Sequence, residues 1–191
     1  MAYQIYITDA IVCGSKNNNT SDRSYLLFTR DAGMVWASAK SAREERSKHR
    51  YALQDFSLAR VSLVRGKIGW RVTGAEPTEN LYFKAETRDT RTLIRNILRL
   101  LRRFLHGESP HPEVFDDVRD ALQKQQGADT LRLESLLTLR VLSRLGYIAP
   151  QKAYDALLAA PYAHTIHREI SKEEQVASDE AIAHALQISH L

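Results

Sequence analysis

The apolar positions of this chain follow one period over the first 80 residues and another beyond them. Residues 3–13, YQIYITDAIVC, are β-branched and aromatic with partial alternation, which predicts a strand. GSKNNNTSD, dense in loop formers, follows it. SYLLFTR predicts a second strand. DAG predicts a tight turn, because Gly33 takes positive φ without a side-chain clash. MVWASAK predicts a third strand. Beyond a polar run, DFSLARVSLV predicts a fourth, with Phe56, Leu58, Val61 and Leu63 as its apolar positions. RGK turns through Gly66, and IGWRVTGAE predicts a fifth strand. Five short strands joined by tight turns and one long loop predict a small barrel of the OB type, with an open sheet packed on helices as the structural alternative.

From Thr87 the spacing becomes helical. Leu93, Ile97, Leu100 and Phe104 form one row, and Ile94, Leu98, Leu101 and Leu105 the next. Arg88, Arg91, Arg95, Arg99 and Arg102 recur at steps of three and four, which puts them on the opposite face. Gly107 is a natural stop. Further helices are expected at 112–126, 129–145, 150–159 and 171–189. Pro112 suits the start of the first, Pro150 and Pro161 bracket the third, and Ser171 with Glu174 forms a capping box for the last. Strands first and helices second define an α+β class. The expected division is an OB-fold domain at 1–78 and an α-helical domain at 79–191, with the boundary near Pro77.

Composition adds bounds to this outline. The 191 residues are 43% hydrophobic and 26% charged, a globular balance. No apolar stretch approaches the roughly 18 residues of a membrane span, and no basic segment leads an apolar block at the N-terminus. Cys13 is the only cysteine, so neither an internal disulfide nor a cysteine-rich zinc site can form within the chain. A reducing, cytoplasmic location without membrane association is the expectation.

Charge changes the picture more. Residues 1–80 carry a net +4, residues 81–106 a net +5, and residues 107–191 a net −5. A basic front half facing an acidic back half points to a polyanionic partner. The strongest cluster is KSAREERSKHR, residues 40–50, with Lys40, Arg43, Arg46, Lys48 and Arg50. Cations in the loops of an OB barrel neutralise phosphates and release counterions. Lys16 with Asn17, Asn18 and Asn19 offers a second loop of donors. The arginine row on the 87–106 helix is a second basic face. Its alternative is an ordinary wet helix surface, or pairing with acids of the C-terminal segment. Trp36, Tyr51 and Trp70 could stack on bases, but Trp36 and Trp70 are expected inside the barrel, since small barrels need large side chains there.

Signals for catalysis are weak. Asp116, Asp117 and Asp120 could bind Mg²⁺ or move protons, yet they sit early on a predicted helix, where acids complement the dipole. A nuclease built on them is the remote alternative. His164 with His167, and His106 with His111, lack the flanking ligands of a zinc signature. GxSxG, Walker and GxGxxG motifs are absent from the sequence. Cys13 has no evident partner base, so a neutral thiol is expected. The expectation is a protein that is not an enzyme and needs no cofactor or metal.

The run from DAIV through SDRSYLLFTRDAGMVWASAKSAREERSKHRYALQDFSLARVSLVRG to WRVTGAE resembles the N-terminal OB domain of the bacterial RecO family. The shared features are Asp22 before a strand, a strand ending in AK, the basic run, and ALQ-x-F. LRLLRRFLHGESPHPEVF and LESLLTLRVLSRLGYIAP resemble the family's helical half, and the likeness covers roughly residues 5–150. It implies a DNA repair and recombination mediator without turnover. Such a mediator binds and anneals single- and double-stranded DNA, and works with RecR and the acidic tail of single-strand binding protein to load RecA. By position, Lys40, Arg43, Arg46, Lys48 and Arg50 would contact DNA, with Arg23 and Arg30 as weaker additions. Many members carry a four-cysteine zinc module after LGY-x-P. This chain continues instead as QKAYDALLAAPYAHTIHREI, so a short form without zinc is expected. Arg132, Arg140 and Arg144 are candidates for the tail-binding pocket. The competing expectation is a protein-interaction adaptor whose basic face binds acidic peptides.

Overall fold

A computed structural model describes residues 4–124, 129–159, 165 and 168–188. Five strands close into a barrel in the order β1-β2-β3-β5-β4: β1 (Ile5–Asn17), β2 (Arg23–Thr29), β3 (Gly33–Ala39), β4 (Ser57–Gly66) and β5 (Gly69–Asn80). All neighbours are antiparallel except β3 and β5, whose parallel seam is short: Ala37 faces Trp70 and Ser38 faces Arg71. A short helix, α1 (Lys48–Ala52), lies within the basic run between β3 and β4. Then come α2 (Leu81–Lys84), α3 (Arg88–Phe104), α4 (Pro112–Gln123), α5 (Thr130–Arg144), α6 (Asp155–Ala159) and α7 (Lys172–Ile188). An OB-type barrel followed by helices is therefore the architecture.

Strand alternation divides the barrel's side chains between two cores. Ala10, Val12, Tyr25, Leu27, Val35, Ala37, Val61, Leu63 and Trp70 point inward and pack with one another. Their neighbours Ile11, Cys13, Leu26, Phe28, Met34 and Leu58 point outward and join the core of the helical half. The apolar row of α3 closes over them with Leu93, Ile94, Ile97, Leu98, Leu101 and Phe104 buried. At roughly 1.5–3 kcal/mol for each large apolar side chain buried, this row is what holds α3 against the barrel wall.

Sequence and geometry meet most tightly at Gly33. Its φ is +74°, and a Cβ there would lie 2.5 Å from the Ser109 carbonyl oxygen and 2.8 Å from that of Gly107. The Met34 amide donates to the Gly107 carbonyl at 2.9 Å. The β2–β3 turn is thus stitched to the chain leaving α3. The β4–β5 turn differs from expectation: Lys67 and Ile68 form its tip between the paired Gly66 and Gly69, and Gly69 carries the positive φ.

The acids of α4 are consumed by arginines. Asp117 accepts from Arg140 Nε at 2.9 Å and from Arg144 Nε at 2.9 Å, and Arg140 is only 1% exposed. Asp116 accepts from Arg30 Nε and Nη2 at 3.1 and 3.0 Å, which holds its carboxyl below the ordinary value. Asp120 pairs with Arg119 and Lys124. Asp116 and Asp117 tie α4 to the end of β2 and to α5, while Asp120 pairs within its own helix and C-cap. At the start of α7 the expected capping box forms: the Glu174 amide donates to Ser171 Oγ and the Ser171 amide to the Glu174 carboxylate. Among the described residues no helix is long and apolar enough to cross a membrane.

Candidate nucleic-acid interface

The basic run begins where β3 ends, and the β1–β2 loop clips it in place. The Ser41 amide donates to Asp22 Oδ1 at 2.9 Å, the Arg43 amide to the Ser21 carbonyl at 3.0 Å, and Arg43 Nη1 to the Asn19 carbonyl at 2.6 Å. Asn19 Oδ1 in turn accepts from the amides of Ser21 and Asp22. The Ser41 N–H and the Asn19 side chain together hold the Asp22 carboxyl below its ordinary value. This fixed start lets Ser41 adopt a positive φ of 51°. Lys40, Arg43, Arg46, Lys48 and Arg50 are all exposed. Among the described residues none of the five pairs with a carboxylate.

The same holds for Arg88, Arg91, Arg95, Arg99 and Arg102 on α3, so pairing with acids of the C-terminal segment is not found among the described residues. Arg91 rests over the Tyr82 ring at 5.5 Å, and Arg95 donates to Thr92 Oγ1. Arg95, Arg99 and Arg102 line a groove of about 310 Å³ between α3 and the outer barrel wall. Its other sides are Cys13, Gly14 and Ser15 of β1, Trp36 of β3, and Phe56. The Arg102 guanidinium lies over Gly14, which follows a register shift in β1. Asp55, an acid in this groove, accepts from Ser15 Oγ at 2.7 Å, and that oxygen accepts from Arg23 Nη2 at 2.7 Å.

Trp36 corrects an expectation. Val35 and Ala37 face the barrel interior, so pleating turns the residue between them outward. Trp36 is 44% exposed, while Trp70 is 7% exposed and packs inside as expected. Lys16 Nζ sits 4.4 Å from the centroid of the Trp36 ring. Lys16 and Asn17 extend β1 rather than belonging to the loop, which begins at Asn18. Tyr51 is exposed on α1.

A second basic hollow, of about 420 Å³, opens beside the β4–β5 turn, lined by Lys40, Lys67, Arg71 and the fully exposed Ile68. Sequence reading missed it, because Lys67 lies in a predicted turn and Arg71 in a predicted strand, and only the barrel's closure brings them to Lys40. Several other candidates are engaged within the protein. Arg30 is tied to Asp116. Arg140 is buried on Asp117 and on the Leu157 carbonyl, and Arg144 bonds Asp117 and Glu113, so neither offers an open cationic pocket. Arg132 is half-buried. Burial pushes the Cys13 thiol up to about 12, which leaves it protonated. His106 is exposed, and His111 occupies the N-cap position of α4 without a side-chain capping bond. His164 and His167 lie outside the described residues. Among the described residues no three His, Cys, Asp or Glu side chains gather as a metal site.

Comparison with known proteins agrees with this geometry. Residues 1–81 match the family model described as Recombination protein O N terminal. The chain is 30% identical over 146 residues to DNA repair protein RecO of Desulfitobacterium hafniense, covering 75% of this chain and 52% of that protein. It is 26% identical over 144 residues to the protein of the same name from Pelotomaculum thermopropionicum, covering 75% and 56%. For the Clostridium novyi protein the figures are 27% over 145 residues, 75% and 57%. The chain spans about half the length of the curated relatives it matches. With barrel order and matched residues in agreement, the barrel of residues 1–81 is a RecO N-terminal domain, and three quarters of the chain is similar to RecO proteins.

Proposed function

We propose that this protein is a DNA-binding recombination and repair mediator that works without bond-making chemistry. The observation that carries the reading is electrostatic. Ten cations, five on the loop of residues 40–50 and five on α3, stand without a carboxylate partner among the described residues. A sugar-phosphate backbone supplies the counter-charge they lack. The loop contacts duplex and single strands through phosphates, which suits a protein that brings complementary strands together. By the names of its relatives, the chain serves DNA repair. RecR, single-strand binding protein and a recombinase are the partners proposed from the family resemblance.

A salt titration with oligonucleotides tests this. Contact through about five phosphates gives log K falling with log salt at a slope of roughly −3.5 to −4.5. Replacing Arg43, Arg46 and Lys48 with alanine removes about 2 to 3 units of that slope. Stability read by melting falls by no more than about 1 kcal/mol, because Arg46 and Lys48 are exposed and the one bond lost is that from Arg43 to the Asn19 carbonyl. A slope near zero, or tight binding only to an acidic peptide, refutes the reading in favour of an adaptor.

A further inference from the structure

We infer that the groove between α3 and the barrel wall is a single-strand subsite, with one unpaired base on Trp36 and the successive phosphates of the same strand on Arg95, Arg99 and Arg102. This rests on the DNA-binding reading and adds to it a place and a strand state. Two independent elements build the groove: the barrel supplies an outward indole, and α3 supplies the cations. About 310 Å³ lies at the lower end of small-ligand pockets, room for a nucleotide rather than a helix of duplex.

The seven steps from Arg95 to Arg102 rise about 10 Å along a helix. At the roughly 3.4 Å rise per nucleotide of a stacked strand, that row faces about three phosphates. Asp55 detracts little, because its carboxylate is turned into the hydrogen-bonded chain from Arg23 through Ser15. The indole decides the strand state. Bases inside a duplex already stack on both faces, so only an unpaired base can offer a face to Trp36. Lys16 Nζ lies over the ring, 4.4 Å from its centroid, so a base stacking on that face displaces the ammonium toward the phosphates of the strand. An acidic peptide with an aromatic end would meet the same arginines and the same indole, so it is the competing arm of the test.

The chain's two tryptophans make the test direct, since Trp70 is enclosed in the barrel. Wild type and Trp36→Phe are titrated with a pyrimidine oligonucleotide and with a duplex of equal length, reading tryptophan emission and anisotropy together. The expected result is saturable quenching by the single strand in wild type that is absent from Trp36→Phe. Trp36→Ala weakens single-strand affinity about 5- to 150-fold and duplex affinity less than about twofold. Arg99→Ala takes about 0.7 from the single-strand salt slope. Binding by anisotropy with unchanged emission, or equal quenching in Trp36→Phe, overturns the subsite while leaving DNA binding intact. Equal loss of duplex affinity in Trp36→Ala also overturns it. If neither oligonucleotide binds in dilute buffer, or if an acidic peptide alone quenches Trp36, the functional reading falls with it.

Discussion

Asp117→Ala should be among the most damaging single changes in the helical half. Arg140 is 1% exposed, with its Nε and Nη2 given to Asp117 at 2.9 and 3.3 Å and its Nη1 to the Leu157 carbonyl at 2.8 Å. Removing the carboxylate strands a guanidinium that water cannot reach, and takes a partner from Arg144 as well. Breaking a buried pair from one side costs about 3–5 kcal/mol. For a chain of this size each kcal/mol moves the melting temperature by roughly 2–4 °C, so a fall of about 6–20 °C is expected by calorimetry. The paired substitution Asp117→Leu with Arg140→Met should recover most of that loss, because replacing both charges with apolar groups is close to neutral. Melting within about 2 °C of wild type for Asp117→Ala would refute the reasoning. It would mean Arg140 finds water or another acceptor.

Two further outcomes follow from the geometry. Gly33→Ala places a methyl 2.5 Å from the Ser109 carbonyl and forces a left-handed backbone on a residue with a side chain. The left-handed conformation alone costs roughly 1–2 kcal/mol, so thermal unfolding should shift by more than that, with faster amide exchange at Met34. Lowering pH should destabilise in two stages. Burial holds His49 below its ordinary 6.5, so the unfolded chain takes up the proton first and stability declines as pH falls below that value; His49→Gln removes this stage. Asp116, held down by Arg30, and Asp22, held down by the Ser41 amide, stabilise the fold above the ordinary aspartate value of 3.8 and lose that contribution as pH falls through their lower folded values. Melting followed from pH 8 to pH 3 checks both stages.

Much of this was legible in the sequence, for identifiable reasons. Period-two stretches gave the five strands, and the 3.6-residue period gave α3 with its arginines on the far side, because each depends only on local spacing. Trp36 shows where a local rule was available but size overrode it. Large aromatics suggest a filled barrel, yet the flanking Val35 and Ala37 had already claimed the interior. Lys16 was placed in a loop by the asparagines after it, whereas pairing with Ser24 carries β1 through to Asn17. The burial of Arg140 could not be read, since it depends on an acid 23 residues earlier and on the Leu157 carbonyl. The groove itself was invisible for the same reason: β1, β3 and α3 meet there only in three dimensions.

The two-residue junction where Ala37 lies beside Trp70 has a mechanical consequence. A closed ring of staves parts first where the fewest rungs cross, and every other joint of this ring has at least seven matched positions. Breathing should therefore start beside Ser38 and Arg71, two residues along β3 from the Trp36 side of the groove. A polyanion seated in the hollow by Lys40, Lys67 and Arg71 would lie across that joint like a clasp.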